Sequence, residues 1–267
     1  MIREVFLSTI DDVMLMAKDH QYLKDIDRYR SAYFYRGMPD ANYELTTSLR
    51  RNCDDAAPVL EDPILRNFTK YASIEDPTLE ESVWKQMIVG QHHGLPTRLL
   101  DWTHSSLVAL NFATTEADLG MLNERDCAVW RIDMRELNKC LPQKYANALN
   151  ADKTFVFSVK SLNSVVDTLK QYDEDMKNQA FVLLEPPSVD QRIINQYSFF
   201  TVMPSGIVNI NDFLENCPVE TTKYVIDKSL RWQLRDILDQ FNVNERIIYP
   251  GLDGLSKWIA RHYYKKR

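Results

Sequence analysis

The chain has 267 residues, 45% of them hydrophobic, with seven glycines and a formal net charge of −6. That length and apolar content suffice for one large domain with its own core, and scattered prolines without any repeated period exclude a solenoid or a string of linked modules. The negative balance argues against a surface that coats nucleic acid, and no stretch approaches the roughly 20 apolar residues of a membrane span.

In "MIREVFLSTIDDVMLMAKDH" acidic pairs interrupt the apolar residues before a signal-peptide core can form, so a cytoplasmic location is expected. Ser8 and Asp11 have capping-box spacing, and Val13, Met16 and Leu23 follow at helical intervals. This predicts an N-terminal helical segment, residues 1–30, ahead of a domain spanning 31–267. "AYFYRGMPDANYELTTSLRRN" reads as a strand ending at Arg36 and Gly37, a turn around Pro39 and Asp40, and a second short extended piece. "TLEESVWKQMIVGQHHG" predicts a helix that starts with Thr78 and Glu81, buries Leu79, Val83, Met87 and Ile88, and stops at Gly94 before Pro96. "LPTRLLDWT" is short and broken by proline, hence a connector, and "SSLVALNFATTEA" resumes helical periodicity with Thr103 or Ser105 as N-cap. Beyond it, "CAVWRID", "AFVLLEP", "RIINQYSFFTVM" and "TTKYVID" are β-rich, with helices at 161–172, 228–241 and 253–264. Strands and helices do not alternate strictly, which favours an α+β single domain, a mixed sheet with flanking helices. The cations of the terminal "KWIARHYYKKR" complement the dipole of the last helix.

The stretch "QHHGLPTRLLDWTHSSLVALNFA", residues 91–113, concentrates the polar groups. His92, His93, His104 and Asp101 are competent metal ligands, but adjacent helical residues point about 100° apart and no HExxH pattern is present, so no metal is expected. Nucleophile elbows and phosphate-cradling glycine loops are also missing. Cys53, Cys127, Cys140 and Cys217 lie far apart without a CxxC pair, as reduced thiols do. Arg98 and Asp101 are expected to form an ion pair that braces the connector, with Leu99 and Trp102 packing inward. A braced, hydroxyl-bearing connector leading into a helix N-terminus also suits an anionic ligand, which makes Thr97, Arg98 and Ser105 candidate nucleotide contacts. Arg36, ending a strand, can present its fork to a diphosphate, and Gly37 removes a side chain that would hold a ligand off the backbone.

"YFYRGMPDANYELTTSLRR" together with "QHHGLPTRLLDWTHSSLVALNFA" resembles the FRG domain, a bacterial and phage family marked by a Q-H-x-G-x-P-T-R-L-L-D-W-T run. "QRIINQYSFFTV" and "LRDILDQFNVNERIIYPGLDGLSKWI" resemble later FRG segments. Tyr35 replaces the family's Phe before Arg36 and Gly37, and Tyr197 and Ser198 stand where a glycine often follows Gln196. The order Arg36, "DWTHSSLVALNFA", Gln196 is also similar to that of NAD-dependent ADP-ribosyltransferases, in which a later Glu is sometimes replaced by Gln. That resemblance implies an ADP-ribosyltransferase-like fold, with NAD as the substrate, in an intracellular effector of toxin or phage-defence type. Arg36 would grip the dinucleotide, Thr103 or Ser105 would place the nicotinamide ribose, and Gln196 would offer a dipole. Glu185 is the fallback carboxylate, or else a solvated strand end. The acceptor would be a protein or RNA. The alternative is a non-catalytic module that recognises a nucleotide, a phage component or a protein partner.

Overall fold

A computed structural model of the chain describes residues 1–188 and 190–265; Lys266 and Arg267 of the basic terminus lie outside the described residues. Eight strands form one sheet: β1 (Ile2–Leu7), β2 (Tyr33–Met38), β3 (Leu99–Thr103), β4 (Cys127–Asp133), β5 (Phe157–Ser158), β6 (Val182–Glu185), β7 (Ser198–Val202) and β8 (Thr221–Ile226), in the spatial order β1-β8-β4-β2-β3-β7-β6-β5. The two outermost pairs, β1 with β8 and β5 with β6, are parallel, and every pair between them is antiparallel. The expected α+β architecture with a mixed sheet is therefore present.

Apolar residues on both faces explain why strands such as β4 are buried along most of their length. One face carries Phe34, Leu100, Trp102, Trp130 and Leu183 in a single cluster. On the other face two clusters meet. Tyr35, Val129 and Tyr224 pack under α1 (Ile10–Ala17) and a helix at Ser106–Ala113, while Leu99, Val182 and Phe200 pack under a helix at Val83–His92. The seam between those two helical layers falls where β2 meets β3.

Several boundaries differ from expectation. Residues 1–30 are not a helical segment, because β1 pairs with β8 along six positions and α1 ends at Ala17. The capping box belongs to Thr9 and Asp12, one residue beyond the Ser8 and Asp11 spacing. Thr78 and Glu81 lie in a 3₁₀ turn, Pro77–Glu81, and the α-helix begins at Val83. The first half of "RIINQYSFFTVM" belongs to a short helix, Gln191–Asn195, and only the second half is a strand. "LLDWT" is no connector: it is the central strand β3, with Leu99, Leu100, Trp102 and Thr103 buried. Five residues beyond a proline are too few to show a period, so pairing with β7 decides their conformation.

With these ranges the helices that matter below are α2 (Ala57–Ala72), α3 (Val83–His92), α4 (Ser106–Ala113), α5 (Gln191–Asn195), α6 (Arg231–Gln240) and α7 (Leu252–His262). Among the described residues no helix is long and apolar enough to cross a membrane.

Candidate functional site

β2 is paired with β4 over six positions and β3 with β7 over five, yet β2 and β3 share only the register pair Tyr35–Thr103. Beyond that pair the strands part, and the Arg36 side chain spans the gap. Its Nη1 donates to the Asp101 carbonyl at 2.8 Å and lies 3.4 Å from Oδ2 of the Asp101 carboxylate. The parted strands open onto a cavity of about 330 Å³ lined by Arg36, Gly37, Trp102, Phe112, Arg192 and Gln196, among others.

Arg36 is a perturbed group in the cleft. Burial pulls its pKa below the ordinary arginine value, and the neighbouring Asp101 pushes back only in part. Its Nε is buried without any hydrogen-bond partner among the described residues. A desolvated guanidinium with an idle donor is a group awaiting an acceptor. Arg192 adds a second, exposed cation, its guanidinium 5.3 Å from the Tyr249 ring centre. Asp101 supplies a carboxylate whose side chain is 57% exposed and whose Oδ1 accepts from Gln91 at 3.1 Å.

The other expected site residues divide. Thr103 and Gln196 reach the cleft, but the Thr103 hydroxyl donates to the Gln196 carbonyl at 2.7 Å and accepts the Ser105 N–H at 3.1 Å. It positions the chain and has no free proton for a ligand. The Gln196 amide nitrogen donates to the Ile248 carbonyl at 3.3 Å. Gly37 lines the cleft through its backbone, but no space for a ligand explains it: a Cβ there would lie 2.0 Å from the Ala109 carbonyl and 2.5 Å from the Ala113 nitrogen, so the glycine lets α4 lie against β2.

Thr97, Arg98 and Ser105 are not in the cleft. Thr97 is buried and its hydroxyl donates to Gln91. Arg98 does not pair with Asp101; it is buried between Glu61 of α2 and Asp173. The reason is strand geometry, since Arg98 opens β3 on the side of α2 while Asp101 lies at the parted end. Ser105 caps α4, accepting the Val108 N–H at 3.3 Å, and lines a different groove. Glu185 is an exposed strand end beside another cavity, shared with Glu81 and Lys85.

Most of the polar crowd at 91–113 is therefore bracing. Gln91 links Thr97, Ser48 and Asp101; His92 pairs with Asp190; Trp102 donates to Thr201 at 3.1 Å; Ser106 donates to the Ala17 carbonyl at 2.6 Å. His104 packs on the Phe34 ring. Among the described residues no three His, Cys, Asp or Glu side chains converge as a metal site. Two cleft residues have no site role in the sequence reading: Asp101, expected there as the partner of Arg98, and Arg192. Asp101 shares the strand face of Thr103, a period of two, and Arg192 stands one helical turn before Gln196, whose N–H bonds the Arg192 carbonyl at 2.9 Å.

The cleft is thus a notch in the middle of an α+β sheet, where the two segments that carry the sequence signature meet Arg192, Gln196 and Ser198. Those segments form an FRG domain: the FRG domain family model matches residues 31–120, which include β2, β3 and α4. No curated protein and no solved structure matches the chain. Tyr197, which replaces the glycine expected from the resemblance, adopts a left-handed φ of 47°, the region that glycine occupies most easily.

Proposed function

We propose that the cleft binds an NAD-class dinucleotide and that the protein is an ADP-ribosyltransferase-like, NAD-cleaving effector. The observation that carries this reading is the Arg36 guanidinium, desolvated at the parting of β2 and β3 with Nε idle. Its unused edge offers Nε and Nη2 side by side, a two-point match to phosphate oxygens. Arg192 would neutralise the remaining phosphate charge, and Trp102 and Phe112 supply apolar surface for a ring.

In the cleavage step the bond between C1′ of the ribose and the nicotinamide nitrogen breaks, and its electron pair leaves with nicotinamide. The cation developing at C1′ is stabilised by negative potential. Asp101, on the rim, is the carboxylate in reach, and the Gln196 side-chain carbonyl adds a dipole. Water, or a hydroxyl or amine of an acceptor, then adds to C1′ and gives up its proton to solvent water at the open rim. Isothermal titration with NAD together with a nicotinamide-release assay tests the reading, and a wild-type protein that leaves NAD both unbound and uncut overturns it.

A second reading, a non-catalytic nucleotide sensor with the same cleft, is favoured by one observation. The Gln196 amide, the Thr103 hydroxyl and both Asp101 carboxylate oxygens already have protein partners. Saturable NAD binding without nicotinamide release would select it.

A further inference from the structure

Beside the cleft, and separated from it by residues 195–198 and 103–105, lies a larger open groove of about 930 Å³. Its walls come from α1, the two-stranded hairpin that pairs Tyr22–Leu23 with Arg28–Tyr29, the N-terminus of α4 and the segment after α6. Two features set it apart. Among the described residues that line it there is no Asp or Glu, whereas Lys18, Arg30, His20 and His104 all do, and all four are exposed. Neither Lys18 nor Arg30 is in an ion pair among the described residues, although the chain as a whole is acidic. The groove also presents aromatic rings to solvent: Tyr29 is 70% exposed, Tyr197 60% and Phe241 52%. Tyr197 is held outward on a left-handed backbone that disfavours any side chain with a Cβ.

Exposed rings beside unpaired cations in an open groove match the chemistry of a flexible polyanion whose monomers carry flat faces. We infer that this groove binds single-stranded nucleic acid, with Lys18 and Arg30 on phosphates and Tyr29, Tyr197 and Phe241 stacking bases. An acidic peptide would meet the cations but leave three rings in water, and a duplex would have its bases hidden from them. The overall charge of −6 does not forbid the contact, because charges beyond about 8–10 Å are screened at physiological salt and the groove lining itself is free of acid. A strand lying in the groove would end beside Gln196 and Ser198 at the cleft wall. The inference concerns binding and does not depend on what the cleft holds.

Fluorescence anisotropy of labelled single-stranded deoxy- and ribo-oligonucleotides with the full chain, without NAD, tests it. Binding should weaken with salt at a log–log slope of about −1.4, two phosphates at about −0.7 each for a single strand. Lys18→Ala with Arg30→Ala should flatten that slope toward zero. Tyr29→Ala and Phe241→Ala should each lower affinity about tenfold, the value of one stacked base. These side chains are at the surface, so melting temperatures should hold, and NAD titrations of the same variants separate this groove from the cleft. Absence of oligonucleotide binding at low salt, a duplex bound as tightly as the single strand, or variants that bind like wild type would overturn the inference.

Discussion

At Arg98 one buried guanidinium is shared by two carboxylates: Nη1 meets Asp173 at 2.6 Å, and Nε meets Glu61 at 2.7 Å. Removing it leaves Glu61, itself 4% exposed, without a counter-charge. Arg98→Ala should therefore cost about 3–5 kcal/mol, the range for a broken buried pair. Asp101→Ala should cost clearly less, since that side chain is on the rim, 3.4 Å from Arg36, and the main-chain carbonyl of residue 101 keeps its 2.8 Å bond to the guanidinium. Thermal melts of the two variants side by side check this, and equal destabilisation would restore Asp101 to the scaffold. Arg36→Lys probes the cleft. A lysine can keep one contact to the Asp101 carbonyl but not a two-point grip, so NAD affinity should fall about tenfold or more, one charge-assisted hydrogen bond. Melts and NAD titrations together decide: a variant that binds NAD like wild type removes Arg36 from the site, and one that loses stability in step with binding assigns it to the scaffold.

Between elements, close approach and ion clusters carry the constraints that periodicity does not express. α4 lies on β2 only because Gly37 offers no Cβ to Ala109 and Ala113. The C-terminal helix α7 is held by Arg261, which bonds Asp239 of α6 and Glu245, while Glu245 also pairs with Arg235. Burial alone would raise both carboxyls, but Arg261, with Arg235 beside them, more than reverses it, and both titrate below their ordinary values. A carboxyl depressed in the folded state contributes stability that is complete above its unfolded pKa and is lost as pH falls through the folded one. Docking of α7 should thus be constant near neutrality and weaken below about pH 4, the ordinary carboxylate range. Hydrogen exchange of residues 252–262 should accelerate there before that of β4, and uniform exchange of both would refute a local origin.

For the whole molecule, the N-terminal strand closes one side of the sheet. β1 covers the edge of β8 and contributes Leu7 to the cluster under α1 and α4. Deleting residues 1–8 would bare the Thr221–Ile226 edge, an open template for pairing with other chains. The truncated protein is expected to aggregate or melt well below the full chain. A monomer of unchanged melting temperature would show that the sheet holds without β1.

Legible in the sequence were the features carried by local pattern: the strand β2, although it runs on past Arg36 to Met38, β4, β6 and β8, the helix before Gly94, the Ser105 cap, and the α+β class that follows from irregular alternation. Both signature segments were also legible, because an FRG domain is recognised by its residue run. What tertiary structure alone decided is which polar groups are spent and which are idle. Thr97, Arg98 and Ser105 look as available as Arg36 in the sequence, yet Gln91, Glu61 with Asp173, and the α4 backbone claim them. Those partners lie 6 to 75 positions away or in the main chain itself, and no local period encodes such pairings. β3 was hidden for a similar reason: its conformation comes from a ladder with β7, about a hundred residues downstream, and its parting from β2 is what turns one arginine of thirty-two cationic residues into a site.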